Sequence, residues 1–146
     1  MTLTIRPVES SDRAEWQRLW TAYLDFYEAS VPDEVHDTTF ARLIGGDPQD
    51  FSGVLAVDGD RPVGLVHYLF HRHNWRVENV CYLQDLFVDP ATRGTGAGRA
   101  LIEAVYQAAD RAGAPTVYWL TQEGNATARQ LYDRVAAKTD FIKYQR

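Results

Sequence analysis

Apolar and polar positions alternate over residues 2–8, TLTIRPV, which predicts a first β-strand. The period then lengthens. Trp16, Leu19, Trp20, Tyr23 and Tyr27 recur at helical spacing, so a helix is expected from the SSD cap at 10–12 to about residue 29. Asp12 and Glu15 stand three apart, as in a capping box. Pro32 ends that element, and a short helix around DTTFARLI, residues 37–44, stops at Gly45-Gly46. Residues 51–58 and 63–71, joined by GDRP, predict a hairpin. VENVCYLQDLFVD, residues 77–89, is almost continuously apolar, as for a central strand buried on both faces. A helix is expected over 97–112, with Leu101, Val105, Ala108 and Ala112 on one face and Gly113 and Pro115 stopping it. TVYWLT (116–121) predicts a strand, residues 125–136 a helix capped by Asn125, and TDFIKYQ (139–145) a last strand. The order β-α-α-β-β-β-α-β-α-β implies one α/β domain over residues 1–146 with a mixed sheet.

Composition narrows the class. The chain of 146 residues is 45% hydrophobic and 24% charged, ordinary for a soluble domain. No apolar run reaches the roughly 20 residues a membrane span needs, and the N-terminus lacks the pattern of a signal peptide. Cys81 is the only cysteine, so no internal disulfide is possible and a cytoplasmic location is expected. The net charge of −5 argues against a nucleic-acid partner. That charge is concentrated: residues 1–50 carry ten acidic and four basic side chains, whereas residues 51–146 come to +1. A solvated acidic face explains this, and so does a site that attracts a cation.

The densest chemical signal is LFVDPATRGTGAGRALIEAV, residues 86–105, with Gly94, Gly96 and Gly98 between a strand and a helix. Unpaired N–H groups and a partial positive charge at a helix start bind phosphate, and glycines let it approach the backbone. Arg93 and Arg99 flank the loop and add charge. Neither common nucleotide fingerprint fits. A Walker loop requires lysine where Arg99 stands, and a dinucleotide fold requires glycine there and an acidic residue where Tyr118 stands.

Arg93, Gly96 and Gly98 instead match the Arg/Gln-x-x-Gly-x-Gly/Ala pattern of the GNAT superfamily of N-acetyltransferases. LQDLFVDP resembles the strand before that loop, and NATARQLY matches the family's Asn-x-x-Ala-x-x-Leu/Phe-Tyr pattern. The resemblance covers nearly the whole chain and implies a mostly antiparallel mixed sheet with splayed central parallel strands flanked by helices. It implies acetyl-coenzyme A as co-substrate, with no metal. The pantetheine arm would pair with main-chain groups of Leu86, Phe87 and Val88, and a main-chain N–H near Phe87 would polarise the thioester carbonyl. Gly94, Thr95, Gly96, Ala97, Gly98 and Arg99 would cradle the pyrophosphate together with Arg93. Asn125 would hold the pantetheine arm, and Tyr132 would protonate the departing thiolate. Relatives similar to the diamine acetyltransferases carry a Glu-Asp pair where this chain has Gln84-Asp85, which leaves Asp85 as the candidate base beside a water relay or none. Tyr27 and Glu28 fall where such relatives build the acceptor mouth.

The expected activity is acetyl transfer to a primary amine of a small molecule by direct attack in a ternary complex. A protein lysine or N-terminal acceptor is the alternative enzyme reading, and a coenzyme A-binding sensor is the non-enzymatic one. His67, His71 and His73, evenly spaced on one strand, suggest a solvated or acceptor-lining face before a metal site, and Cys81 a small core residue. A short alternating terminal strand invites pairing with another chain, so a homodimer is expected.

Overall fold

Five strands in the order β1-β2-β3-β4-β5 organise the computed structural model, which describes residues 2–146. β1 (Leu3–Pro7), β2 (Ser52–Asp58), β3 (Arg61–His71) and β4 (Val80–Val88) pair antiparallel in sequence order. β5 (Val117–Tyr118) joins β4 in parallel, which a crossover through α3 (Ala97–Arg111) makes possible. Helices α1 (Arg13–Phe26) and α2 (Asp33–Gly45) cover one face of the sheet. α3 and α4 (Ala126–Val135) cover the other. Trp16, Leu19, Trp20 and Phe40 meet Leu55, Leu65 and Phe87 in the first layer. Leu101, Ile102 and Val105 meet Val66, Cys81 and Leu83 in the second. None of the described helices is long and apolar enough to cross a membrane.

Helix boundaries follow local chemistry. α1 stops at Phe26, before the expected residue 29, because Glu28 turns left-handed at φ 55° and Ala29 N–H closes onto Leu24 O at 2.9 Å. Asp12 does not cap α1 with Glu15. Its carboxylate accepts from Glu9 N–H at 2.7 Å and from both terminal nitrogens of Arg6 at 2.8 and 2.9 Å. α2 starts four residues before the expected 37: extended Pro32 directly precedes it, and Asp33 and Glu34 favour the helix's positive end. On α3 the buried face turns toward Ile102 and Ala109, away from Ala108 and Ala112.

Two departures bear on function. Asp85 pairs with His67 and Leu83 with Tyr68, leaving Gln84 as an extra residue in β4. This bulge moves the strand's facing by one position. Cys81 and Leu83 pack toward α3, whereas Phe87 packs toward α1. The other departure is at the C-terminus. β5 is two residues long instead of six, and residues 139–145 form no strand. Phe141, Ile142 and Tyr144 are 84%, 77% and 89% exposed. Alternation supplies strand propensity, but a strand also needs a partner edge, and this tail leaves α4 without one.

Candidate active site

β4 ends at Val88 and hands the chain to a tight turn before α3. Asp89 fastens the start of this turn, accepting from Ala91 N–H at 3.0 Å while its own N–H donates to Val63 O at 2.8 Å. Gly94 and Gly96 both lie at φ +83°, a conformation that L side chains rarely adopt, and Gly96 is the residue preceding α3. A Cβ at either would meet nothing within 4 Å, so the space in front of the turn is open. The N–H groups of Ala97, Gly98 and Arg99 belong to the helix's first turn and lack partners four residues back. Gly98 serves packing instead: a Cβ there would stand 3.3 Å from Leu131 Cδ2, so its absence lets α3 and α4 close. Thr95 ties the loop through its hydroxyl to Thr92 O at 2.7 Å. Arg99 pairs with Glu103 at 2.9 Å, and exposed Arg93 has no ion-pair partner among the described residues. The expected loop residues therefore form one open, donor-rich turn whose chemistry suits an anionic diphosphate.

The edge of β4 is open along the same line. Its parallel pairing with β5 stops at Tyr82 opposite Tyr118. The ladder to β3 continues through His67–Asp85, Leu65–Phe87 and the Asp89–Val63 bond. Hydrogen-bonded and free pairs alternate in an antiparallel ladder. Asp85 and Phe87 therefore turn their main-chain groups to β3, and Leu86 and Val88 turn theirs to the open side. Of the three residues expected to meet the pantetheine arm, Phe87 is the one whose backbone is already engaged. The N–H available near the bulge is that of Leu86.

Asp85 is 7% exposed and lies behind this edge. Its Oδ2 is 2.9 Å from His67 Nδ1, and His67 Nε2 is 3.0 Å from Trp16 Nε1. Three phenols lie near enough to feel the carboxylate's charge. Burial is the largest cause pushing up Tyr23, Tyr27 and Tyr82, and the Asp85 charge adds to each. Ring contacts complete the wall: Tyr23 lies 5.1 Å from Tyr27 and 6.5 Å from Phe87, and Tyr82 stacks on Tyr118 at 4.8 Å. Tyr118 is held in turn by His71 Nε2 at 2.7 Å. The sequence offers His67 only as one of three evenly spaced histidines on an exposed or acceptor-lining face, and does not mark Trp16, Tyr23, Tyr82 or Tyr118 as site residues. Trp16 and Tyr23 were legible as a helical stripe, but their meeting with His67 depends on strand register, which spacing alone does not give.

Tyr132 lies on α4 with its ring 5.4 Å from Trp119. Burial pushes its hydroxyl up to about 12, and neighbouring Tyr27 adds to this. The group is a proton donor throughout the neutral range. Asn125 stands at the cap position of α4, but its side chain makes no cap bond; Nδ2 reaches Thr121 Oγ1 at 3.3 Å. Glu28 is exposed next to half-buried Tyr27. Burial raises the Cys81 thiol to about 12, which suits a core residue and not a nucleophile. The three spaced histidines separate: His67 is buried, His71 binds Tyr118, and His73 packs on Trp75. Among the described residues no three His, Cys, Asp or Glu side chains gather to hold a metal.

Comparison with known proteins bears on this geometry. The model of the acetyltransferase (GNAT) family matches residues 16–136. A D-amino-acid N-acetyltransferase of Saccharomyces cerevisiae is 44% identical over 99% of this chain and 90% of its own length. An aminoglycoside N-acetyltransferase solved with coenzyme A superposes with a TM-score of 0.86 at 18% identity, covering 99% of this chain and 94% of that one. A ribosomal-protein-alanine N-acetyltransferase from Brucella melitensis gives 0.78 at 19% identity, over 99% and 98% of the two chains. At such identity these two structures share the fold, and their different acceptors show that the fold alone does not choose one.

Proposed function

The chain belongs to the acetyltransferase (GNAT) family, and from that membership we propose that it moves the acetyl group of acetyl-coenzyme A directly to the primary amine of a small molecule, D-amino acids first among them. The observation that carries the small-amine reading is the buried Asp85 carboxylate, held by His67 at 2.9 Å, whose charge is felt by Tyr23, Tyr27 and Tyr82. A lone charge among aromatic rings suits one ammonium on a compact body. The D-amino-acid choice rests on the yeast relative.

The Gly94–Arg99 turn and Arg93 hold the diphosphate, Leu86 and Val88 pair with the pantetheine arm, and Asn125 steadies it. The ammonium rests against Asp85, with Tyr27 and Glu28 at the mouth, and gives up a proton there. The neutral amine attacks the thioester carbonyl, whose developing negative charge the Leu86 N–H stabilises. The carbon–sulfur bond breaks and Tyr132 protonates the leaving thiolate. From ammonium and thioester the products are amide, free thiol and one proton to solvent. The tail with Phe141, Ile142 and Tyr144 supports the further reading that the enzyme is a homodimer.

Two measurements test the assignment. Acetyl-coenzyme A at about 100 times its Kd should stabilise the fold by roughly 2.7 kcal/mol, with NAD and ATP far less effective. Turnover with D- and L-amino acids, polyamines, aminoglycosides and a histone peptide should favour the small amines. Turnover of the peptide alone would overturn the small-acceptor reading.

A further inference from the structure

Asp85 is tied to the apolar core by a chain of two hydrogen bonds whose polarity is fixed. An indole nitrogen only donates, so Trp16 Nε1–H must give its proton to a lone pair on His67 Nε2. The hydrogen of a neutral imidazole then resides on Nδ1, which donates to Asp85 Oδ2. Trp16 is fully buried and His67 is 1% exposed, so water does not compete for either bond.

We propose that Trp16 is a positioning residue that holds His67 as a neutral Nδ1–H donor, so that Asp85 keeps its full negative charge for the ammonium of the acceptor. The inference rests on the acetyl-transfer reading above. Protonating His67 would require Nε2 to release the indole. It would also turn the His67–Asp85 contact into an internal ion pair, leaving no net charge to attract an amine. The arrangement thus separates two tasks that a bare His–Asp pair confuses: orienting the carboxylate and leaving it charged.

The surroundings offer few other protons. α1 supplies Tyr23, the residue following that helix is Tyr27, and β4 supplies Tyr82; burial and the Asp85 charge push all three phenols up, so they stay neutral near this pair. α1 also brings Trp20, with its ring 5.3 Å from the imidazole, and β2 brings Gly53. α2 contributes Phe40 beside Trp16 and, one turn earlier, the buried His36.

The test separates the tautomer from the catalysis. Nitrogen-15 spectra of wild-type His67 should show the neutral Nδ1–H form from pH 6 to 8.5; an imidazolium signal at pH 7 overturns the proposal whatever the acceptor proves to be. Trp16→Phe keeps an aromatic ring and removes the donor. With the indole gone, His67 Nε2 is free to take a proton, so at pH 6 the KM for the amine, relative to wild type, should rise several-fold. At pH 8.5 it should rise much less, and the KM for acetyl-coenzyme A should not follow. His67→Gln can still donate to Asp85 but cannot titrate. Added to Trp16→Phe, it should abolish the pH dependence of the KM ratio. A purely structural lesion would weaken the variant at both pH values and would not be relieved by glutamine, and either result overturns the proposal.

Discussion

Removing one oxygen tests Tyr132 without disturbing its packing against Trp119. Tyr132→Phe should lower kcat by about 10²-fold, the lower end of general-acid effects, since a thiolate already leaves tolerably. Because burial holds this phenol up to about 12, it keeps its proton through the usable alkaline range, and the basic limb below pH 10 should be the same in both enzymes. A pH–rate comparison checks both statements; unchanged kcat with chemistry rate-limiting makes Tyr132 a packing residue. At Gly96 the backbone decides. φ +83° makes any Cβ costly by about 1–2 kcal/mol although nothing crowds it, so Gly96→Ala should weaken acetyl-coenzyme A binding in calorimetry. Gly98→Ala should cost stability through Leu131 instead. Glu28 holds the only positive φ among the described non-glycine residues. Glu28→Gly should raise stability by about 0.5–1 kcal/mol in urea melts while raising the KM for the amine. An unchanged KM would take Glu28 off the acceptor mouth.

At the level of elements, strong periodicity made most of the fold legible: β1 to β4, α1, α3 and α4 lie close to where their patterns place them. The turn before α3 was legible too, because Gly94 and Gly96 report backbone needs that no longer-range contact has to explain, whereas Gly98 answers to Leu131 on α4. What escaped the sequence depends on pairing. The Gln84 bulge moves Asp85 into the α1 layer, and nothing in QDLF announces which residue will be skipped. The start of α1 escaped for a similar reason: the carboxylate expected to cap the helix is claimed by Arg6 from the neighbouring strand. That pair yields its own prediction. Hydrogen bonds from Arg6 hold the buried Asp12 below the usual carboxylate range. Its contribution is therefore complete above about pH 4 and is lost as pH falls through its depressed value. Asp12→Asn should cost about 1–3 kcal/mol at pH 7, and the deficit should shrink at pH 3, as paired urea melts at the two pH values would show.

On the scale of the whole molecule, the sheet is closed on its β1 side only by a short strand and left open beside β5. The residues expected to continue it, 139–145, stand in solvent with three large apolar side chains exposed. Burying such a side chain stabilises by about 1.5–3 kcal/mol, so this tail is an unspent source of association energy. At about 3.3 Å per residue, seven extended residues reach some 23 Å, enough to cross to a second protomer and run along its β5. A groove of about 440 Å³ beside the root of the tail, lined by Tyr106, Asp110, Pro115 and Val117 among others, leaves room for an incoming chain. Pairing there would lengthen β5 past Tyr118 and brace Trp119, and through it the Tyr132 ring. Two consequences follow from that arrangement. The intact enzyme should sediment as a dimer at micromolar concentration, and truncation after Lys138 should yield a monomer. The truncated monomer should retain most of its acetyl-coenzyme A affinity, because the Gly94–Arg99 turn is far along the chain from the tail, yet lose kcat as Tyr132 loosens. Phe141→Ser with Tyr144→Ser should behave as the truncation does, since the apolar faces rather than the backbone length drive the association. A wild-type monomer in sedimentation, or a truncated chain that dimerises as tightly as the full one, would place the contact elsewhere or remove it.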